Sequence, residues 1–375
     1  MIVLVQTFFW LAVATIVYTF LGYPVLVALF AGYFRRPVKQ AQITPRVTLV
    51  VPAYNEASVI GEKIENSLAL DYPRDSMDIA VVTDGSTDET PEIVRGLAND
   101  WVSLFHQPER KGKAAAVNRV TPQLDSEIIL FSDANTMLQP ETLRLMVRNF
   151  ADPQVGAVAG EKKVRGEGEG LYWRYESFLK KCDSALSSVM GAAGELFAVR
   201  RDLFEPPEED SIIEDFIMSM RLVERGWRVV YEPYAVAVEE APSSLAAEWQ
   251  RRVRIAAGGF QSMQRMPGLL NPLRGRVFWQ YLSHRVLRWA ATPFLLVVVY
   301  FLNLLLLDMP LYRLLWVGQT SFYAVAFLGY RLSRVGHKPR IPFTVFYFCF
   351  TNAAALAGFW RFVTRSQPVT WQKVR

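Results

Sequence analysis

From Val47 onward, short apolar runs alternate with amphipathic segments, and three of those runs end in polar clusters that carry acids. VTLVVPAYNE reads as a buried strand entering a loop, and SVIGEKIENSLAL as a helix with Ile60, Ile64 and Leu68 on one face. MDIAVVTDGS is the next strand; Ser86 and Glu89 then have capping-box spacing ahead of a helix that Pro91 helps to start. WVSLF, a helix from Lys113, and EIILFSD continue the alternation. Strands and helices in strict turn predict an α/β domain with a mainly parallel, Rossmann-like sheet and right-handed crossovers. In such a sheet the ligand lies beyond the carboxyl ends of the strands, so PAYNE, TDGSTD and SDANT are expected to converge. Each cluster alone is equally well a polar turn, because Asp, Gly and Ser are ordinary turn residues.

Apolar segments flank this domain. Residues 1–34 are almost uncharged and exceed the roughly 20 residues that a helix needs to cross a bilayer. They lack the charged start and small-residue cleavage site of a signal peptide, so a retained anchor is expected, with a buried helix of a soluble protein as the alternative. Residues 289–307, 314–330 and 342–360 are each near spanning length. Arg35, Arg36 and Lys39 follow the first apolar run, and Arg274, Arg276, Arg285 and Arg288 precede the second. The positive-inside rule then puts the central domain in the cytoplasm, on a multi-pass protein of the inner (plasma) membrane. Three C-terminal spans would strand Arg361, Arg365, Lys373 and Arg375 outside, against that rule, unless one run is re-entrant or interfacial.

The expected division is a transmembrane helix at 1–34, a cytoplasmic domain at 35–240, amphipathic interfacial helices at 241–288, a membrane region at 289–366 and a polar tail at 367–375. Net charge is +5 with pI near 9.1, and the excess clusters at the membrane edges, which suits anionic lipids and argues against nucleic acid. Cys182 and Cys349 suggest no disulfide framework, and three histidines without ligand spacing argue against zinc.

The motif order resembles family 2 glycosyltransferases of the GT-A fold, in particular membrane-embedded synthases of hyaluronan, chitin, cellulose and poly-N-acetylglucosamine. The similarity covers nearly all of residues 45–270. VPAYNE resembles the opening nucleotide loop, which implies donor contacts from Pro52, Tyr54 stacked on uracil, and Glu56 near the nucleoside. TDGSTDET is similar to the second loop, usually written with two acids before the Gly; Asp84 matches the acid at the uridine and Thr83 replaces the other. KGKAAAVN implies Lys113 and Asn118 along the nucleotide sugar. SDANT stands in the place of the metal motif, where Asp133 offers a hard anionic ligand and Asn135 only a neutral carbonyl to magnesium or manganese.

GAAGELFAVRR resembles the acceptor segment, in which Gly194 lets a sugar approach the backbone; a strand closing the sheet with glycine turns explains it as well. IIEDF matches the family's acidic pair, Glu214 on the acceptor side and Asp215 as the base that takes a hydroxyl proton. Acids opening a helix are also favourable dipole placement. WQRRVRIAAGGF departs from the family's Gln, Arg, any residue, Arg, Trp: Arg252 and Arg254 fit a diphosphate role, while the Gln and Trp are missing. The lost Trp would lie beneath the acceptor sugar, so processive growth is put in doubt; neighbouring Trp249 is the candidate replacement. Leu245, Trp249, Val253, Ala256, Phe260 and Met263 recur at helical spacing, as in a helix lying in the membrane interface, although a core helix gives the same stripe.

The resemblance implies an inverting transferase that moves a sugar from a UDP-sugar to a glycan or lipid acceptor in cell-envelope polysaccharide or glycolipid synthesis. A single-transfer enzyme and a catalytically degenerate subunit for polysaccharide assembly or transport are the alternatives.

Overall fold

Strand and helix runs fall where the alternation predicts in the computed structural model, which describes residues 1–165, 171–240 and 244–370. The strands are β1 (Val47–Ala53), β2 (Met77–Asp84), β3 (Val102–Gln107), β4 (Ile128–Phe131), β5 (Thr136–Leu138), β6 (Val155–Arg165), β7 (Phe197–Arg200) and β8 (Arg228–Glu240). The helices are α1 (Ile2–Val17), α2 (Tyr23–Tyr33), α3 (Ile60–Leu68), α4 (Thr90–Leu97), α5 (Lys113–Val120), α6 (Thr142–Val147), α7 (Leu171–Leu186), α8 (Glu214–Glu224), α9 (Leu245–Arg265), α10 (Arg276–Tyr281), α11 (Thr292–Leu304), α12 (Pro310–Arg334) and α13 (Arg340–Val363). They divide between an α/β unit (Phe30–Ser243, Arg265–Val277, Pro368–Arg375) and a helical unit (Met1–Leu29, Ser244–Gln264, Phe278–Gln367).

In the α/β unit one sheet runs β3-β2-β1-β4-β7-β6-β8-β5. Its first four strands are mutually parallel, as the alternation requires. Val47 to Val51 are buried without a break, the pattern of a strand covered on both faces. Beyond β4 the direction changes: β7 pairs antiparallel with both β4 and β6, and β5 closes the far edge antiparallel to β8. Ile60 and Ile64 of α3 pack into the core as predicted, but fully buried Lys63 lies between them.

The expected capping box does not form. Glu89 is the N-cap of α4 and makes no side-chain cap; Asp88 accepts from the Thr90 amide instead (3.0 Å), and the Ser86 hydroxyl accepts from the Asn55 amide (3.2 Å). A tie across two loops has taken the residue that local spacing would assign to the helix.

In the helical unit, Phe9 and Ala12 of α1 pack against Val299, Leu306 and Tyr312. A Cβ on Gly358 of α13 would lie 2.6 Å from the Ala256 side chain and 2.8 Å from the Val253 carbonyl, so only glycine permits this helix contact. Val253 and every residue from Ala256 to Phe260 are buried, wider than a one-sided stripe. Among the described residues three helices are long and apolar enough to cross a membrane: Ile2–Tyr33, Arg276–Leu304 and Arg340–Val363. The expected run at 314–330 does form a helix, within α12, but Gln319, Thr320 and Ser321 dilute its hydropathy and it is not among them. Cys182 and Cys349 are both free thiols. Lys373 and Arg375, with the rest of the tail beyond Thr370, lie outside the described residues.

Candidate active site

A cleft opens beyond the carboxyl ends of β1, β2 and β4 in the α/β unit. Pro52, Tyr54, Glu56, Asp84, Lys113, Asp133 and Asn135 line it together, so the three polar clusters do converge. The first two loops are stitched to each other. Asn55 Oδ1 accepts from the Thr87 amide (2.8 Å), the Glu56 amide donates to Thr90 Oγ1 (2.8 Å), and the Ala57 amide donates to Asp88 Oδ2 (3.1 Å). Asn55 reaches this arrangement with φ of 53°, a left-handed conformation that asparagine tolerates.

Asp84, almost buried, accepts from the amides of Lys111 (Oδ1, 3.0 Å) and Gly112 (Oδ2, 2.6 Å) just ahead of α5. Its charge thereby faces the positive end of that helix and orders the KGK segment. The turn between them needs Gly85: φ is 67°, and a Cβ there would fall 2.8 Å from the Arg110 backbone. The fully buried Thr83 points to His106 Nδ1 (2.8 Å).

Deeper in, Lys113 Nζ donates to Asp133 Oδ1 at 2.7 Å and pairs with Glu214 Oε1 at 3.0 Å. Asp215, beside Glu214 in the first turn of α8, accepts from its own helix through the Phe216 amide (2.8 Å) and from the Gly194 amide. A Cβ on Gly194 would lie 2.7 Å from Lys113 Nζ, 3.3 Å from Asp215 Oδ2 and 3.7 Å from Asp133 Oδ1. One glycine therefore borders Lys113, Asp215 and Asp133 at once, and the strand that follows it, β7, lies inside the sheet between β4 and β6. Burial, then the Glu214 charge, pushes Asp215 up to about 7, against the opposing Lys113. Burial works against the Lys113 charge, yet Asp133, Glu214 and Asp215 together hold its pKa above the ordinary lysine value.

The donor set fits a hard divalent cation that arrives with a diphosphate. Asp133 offers one carboxylate and Asn135 one carbonyl on the cleft wall; among the described residues no three His, Cys, Asp or Glu side chains are arranged to hold a metal ion by themselves. Magnesium and manganese need only one or two protein carboxylates when phosphate oxygens and water complete the shell.

Other sequence-derived positions are not among these lining residues. Asn118 does not line the cleft; its amide donates to the Pro207 carbonyl (2.7 Å). In the helical unit Trp249 packs edge-on against Phe350, ring centroids 5.3 Å apart, and Arg252 Nε donates to Glu248 (2.7 Å) while its Nη2 donates to Tyr347 (2.7 Å). Arg254 is on the same helix. Two cleft residues escaped sequence reasoning. Arg110 stacks its guanidinium 3.6 Å from the Tyr54 ring centroid, and the basic run ERKGK was the signal for it. Thr370 comes from the far end of the chain, and nothing local marks it.

Comparison with known proteins fits this geometry. The family profile described as "Glycosyltransferase like family 2" matches residues 45–258, the span that holds all three clusters and the acidic pair. The chain belongs to this family. As a family 2 glycosyltransferase it is 29% identical over 232 residues to a poly-beta-1,6-N-acetyl-D-glucosamine synthase of Staphylococcus aureus, covering 58% of this chain and 56% of that one. It is 31% identical over 233 residues to a beta-monoglucosyldiacylglycerol synthase of Synechocystis, covering 58% and 48%. The chain thus spans about half the length of the curated relatives it matches. Among solved structures, a mannosyltransferase from Pyrobaculum calidifontis, in complex with GDP-Man and Mn2+, superposes with a TM-score of 0.73 at 26% identity, over 96% of this chain and 100% of that one. The fold is therefore of the GT-A kind, a mainly parallel α/β sheet with long apolar helices toward both ends of the chain.

Proposed function

We propose that this family 2 member is a membrane-bound inverting glycosyltransferase that moves a sugar from a UDP-sugar to a hydroxyl of a glycan or lipid acceptor. The observation that carries the proposal is the meeting of Asp133, Glu214, Asp215, Lys113 and Gly194 at the end of a cleft formed by three strand ends. Asp215 takes the acceptor hydroxyl proton as that oxygen attacks the anomeric carbon; the bond from that carbon to the diphosphate breaks on the opposite face and the configuration inverts. A base with a pKa near neutrality suits that task. Asp133 and Asn135 would hold a divalent cation, which when bound stabilises negative charge on the leaving diphosphate. Lys113 is placed to turn from Asp133 toward the same phosphates, and Tyr54, Pro52, Glu56 and Asp84 to frame the nucleoside. Arg252 and Arg254 keep their diphosphate assignment from the family resemblance alone.

The three apolar helices support a multi-pass protein of the plasma membrane with its catalytic domain cytoplasmic, since arginines and Lys39 flank the apolar runs on that side. A lipid or a growing glycan then suits the acceptor, in polysaccharide or glycolipid synthesis. A GDP-linked donor is the alternative that a specific observation favours, because the relative matched along nearly the whole chain carries GDP-Man.

The deciding experiment offers a panel of UDP- and GDP-sugars to native membranes with and without manganese, measuring nucleotide release and product length. Metal-dependent release from one UDP-sugar supports the proposal and dismisses a degenerate subunit. Release from a GDP-sugar only corrects the donor, and product length separates polymerisation from single transfer. No release from any donor sinks the enzymatic assignment.

A further inference from the structure

The turn after β4 that carries Asp133 and the loop that carries Gly194 are joined by a buried post. Lys63, fully buried in α3, donates from Nζ to Ser132 Oγ (2.8 Å) and to the Thr136 carbonyl (2.7 Å). Ser132 is fully buried as well; its hydroxyl lies 3.1 Å from the Glu195 carbonyl and 3.0 Å from Thr136 Oγ1. With Lys63 as donor to its oxygen, the single Ser132 proton is available to the Glu195 carbonyl. Thr136 Oγ1 donates in turn to the Asp133 carbonyl (2.9 Å), closing the turn that presents Asp133 and Asn135. On the other side Glu195 is clamped by Lys162 (2.7 Å), which is itself paired with Glu239. The residue before it, Gly194, gives its amide to the Asp215 carboxylate.

An ammonium withdrawn from water needs partners, and here they are one hydroxyl and one main-chain carbonyl. Burial pulls Lys63 down to about 7, with Asp133 opposing. A group that costly beneath the turn that carries Asp133 calls for a return, and the geometry supplies one. The post leads from the 133–136 turn, through Ser132, to the main chain one residue from the Gly194 amide.

We infer that Ser132, held by Lys63, is a positioning residue that locks the cation-side turn at Asp133 to the acceptor-side loop at Gly194–Glu195, so that leaving-group and base positions keep one spacing. Neither Ser132 nor Lys63 lines the cleft, so both act through the residues they hold. The inference deepens the proposed function and rests on the cleft being the transfer site.

Its test uses the full-length membrane protein with Ser132→Ala, Lys63→Met and the double variant. Ser132→Ala deletes one oxygen, and Lys63→Met keeps the bulk of a buried chain without its charge. Each single variant is expected to lower kcat roughly 10- to 100-fold with donor KM changed less than about threefold, the signature of lost alignment. The double variant should fall no further than the worse single one, because both break one linkage. Hydrogen exchange, which needs no turnover, should quicken together in peptides covering 133–138 and 191–197. Native kcat in Ser132→Ala, multiplying losses in the double variant, or faster exchange in only one of the two peptides would each overturn the inference. A wild-type protein without transfer activity would refute the functional assignment separately, while the exchange result would still decide whether the post couples the two loops.

Discussion

Lys113 and Asp133 form an ion pair of 2.7 Å that bridges the first residue of α5 to the turn after β4. Glu214 holds the same ammonium at 3.0 Å, so one cation serves two carboxylates and faces a third, Asp215. Glu214 and Asp215 are already held inside the protein, whereas the Asp133 side chain keeps 32% of its surface open on the cleft side, so an arriving ligand would meet that carboxylate first.

Removing that lysine exposes its two roles. Lys113→Met is expected to raise the donor KM at least tenfold and to lift the pKa of Asp215 further, because Lys113 opposes the upward shift. A pH series of kcat/KM should then show the loss to be greatest below pH 7 and partly recovered by about pH 8.5.

The base itself sets the acid limb. With Asp215 near 7, kcat/KM should rise with pH through that value as the carboxylate ionises. For stability the sign is the reverse: the folded pKa lies above the ordinary aspartate value of 3.8, so the contribution of Asp215 is full below about pH 4 and is lost as pH rises through 7. Asp215→Asn should abolish transfer while leaving nucleotide binding within about threefold, as read by calorimetry; full turnover would refute the assignment.

Asn135→Asp tests the weaker half of the cation site. A second carboxylate beside Asp133 should tighten manganese in the presence of nucleotide by roughly tenfold, since hard cations reward ligand charge. Titration of activity against manganese gives the shift; Asp133→Asn should move it in the opposite direction.

Two glycines should separate folding from chemistry. Gly194→Ala sets a methyl against the mobile end of Lys113 and beside Asp215, so kcat should drop at least tenfold with little change in Tm. Gly85→Ala meets rigid backbone at a φ of 67°, so it should cost about 1–3 kcal/mol of stability and weaken nucleotide binding with it.

What local pattern could reveal, the chain revealed. Apolar runs at Val47 and Met77 and the helical spacing of Ile60 and Ile64 act through neighbours a few residues apart, so strands, helices and the parallel half of the sheet were legible, and with them the convergence of Tyr54, Asp84 and Asp133. Ser86 shows the limit: its spacing suits a helix cap, yet a loop 31 residues away claims its hydroxyl. Nothing local marks Lys63 as buried, and only the folded chain puts Ser132 and the Thr136 carbonyl where its ammonium must go. The reversal at β7, the approach of Gly194 to Lys113 and the raised pKa of Asp215 likewise depend on contacts between distant segments. Side-chain type and spacing determine which groups can do the chemistry, whereas burial and distance, which tune charge and alignment, come into being only when the sheet closes.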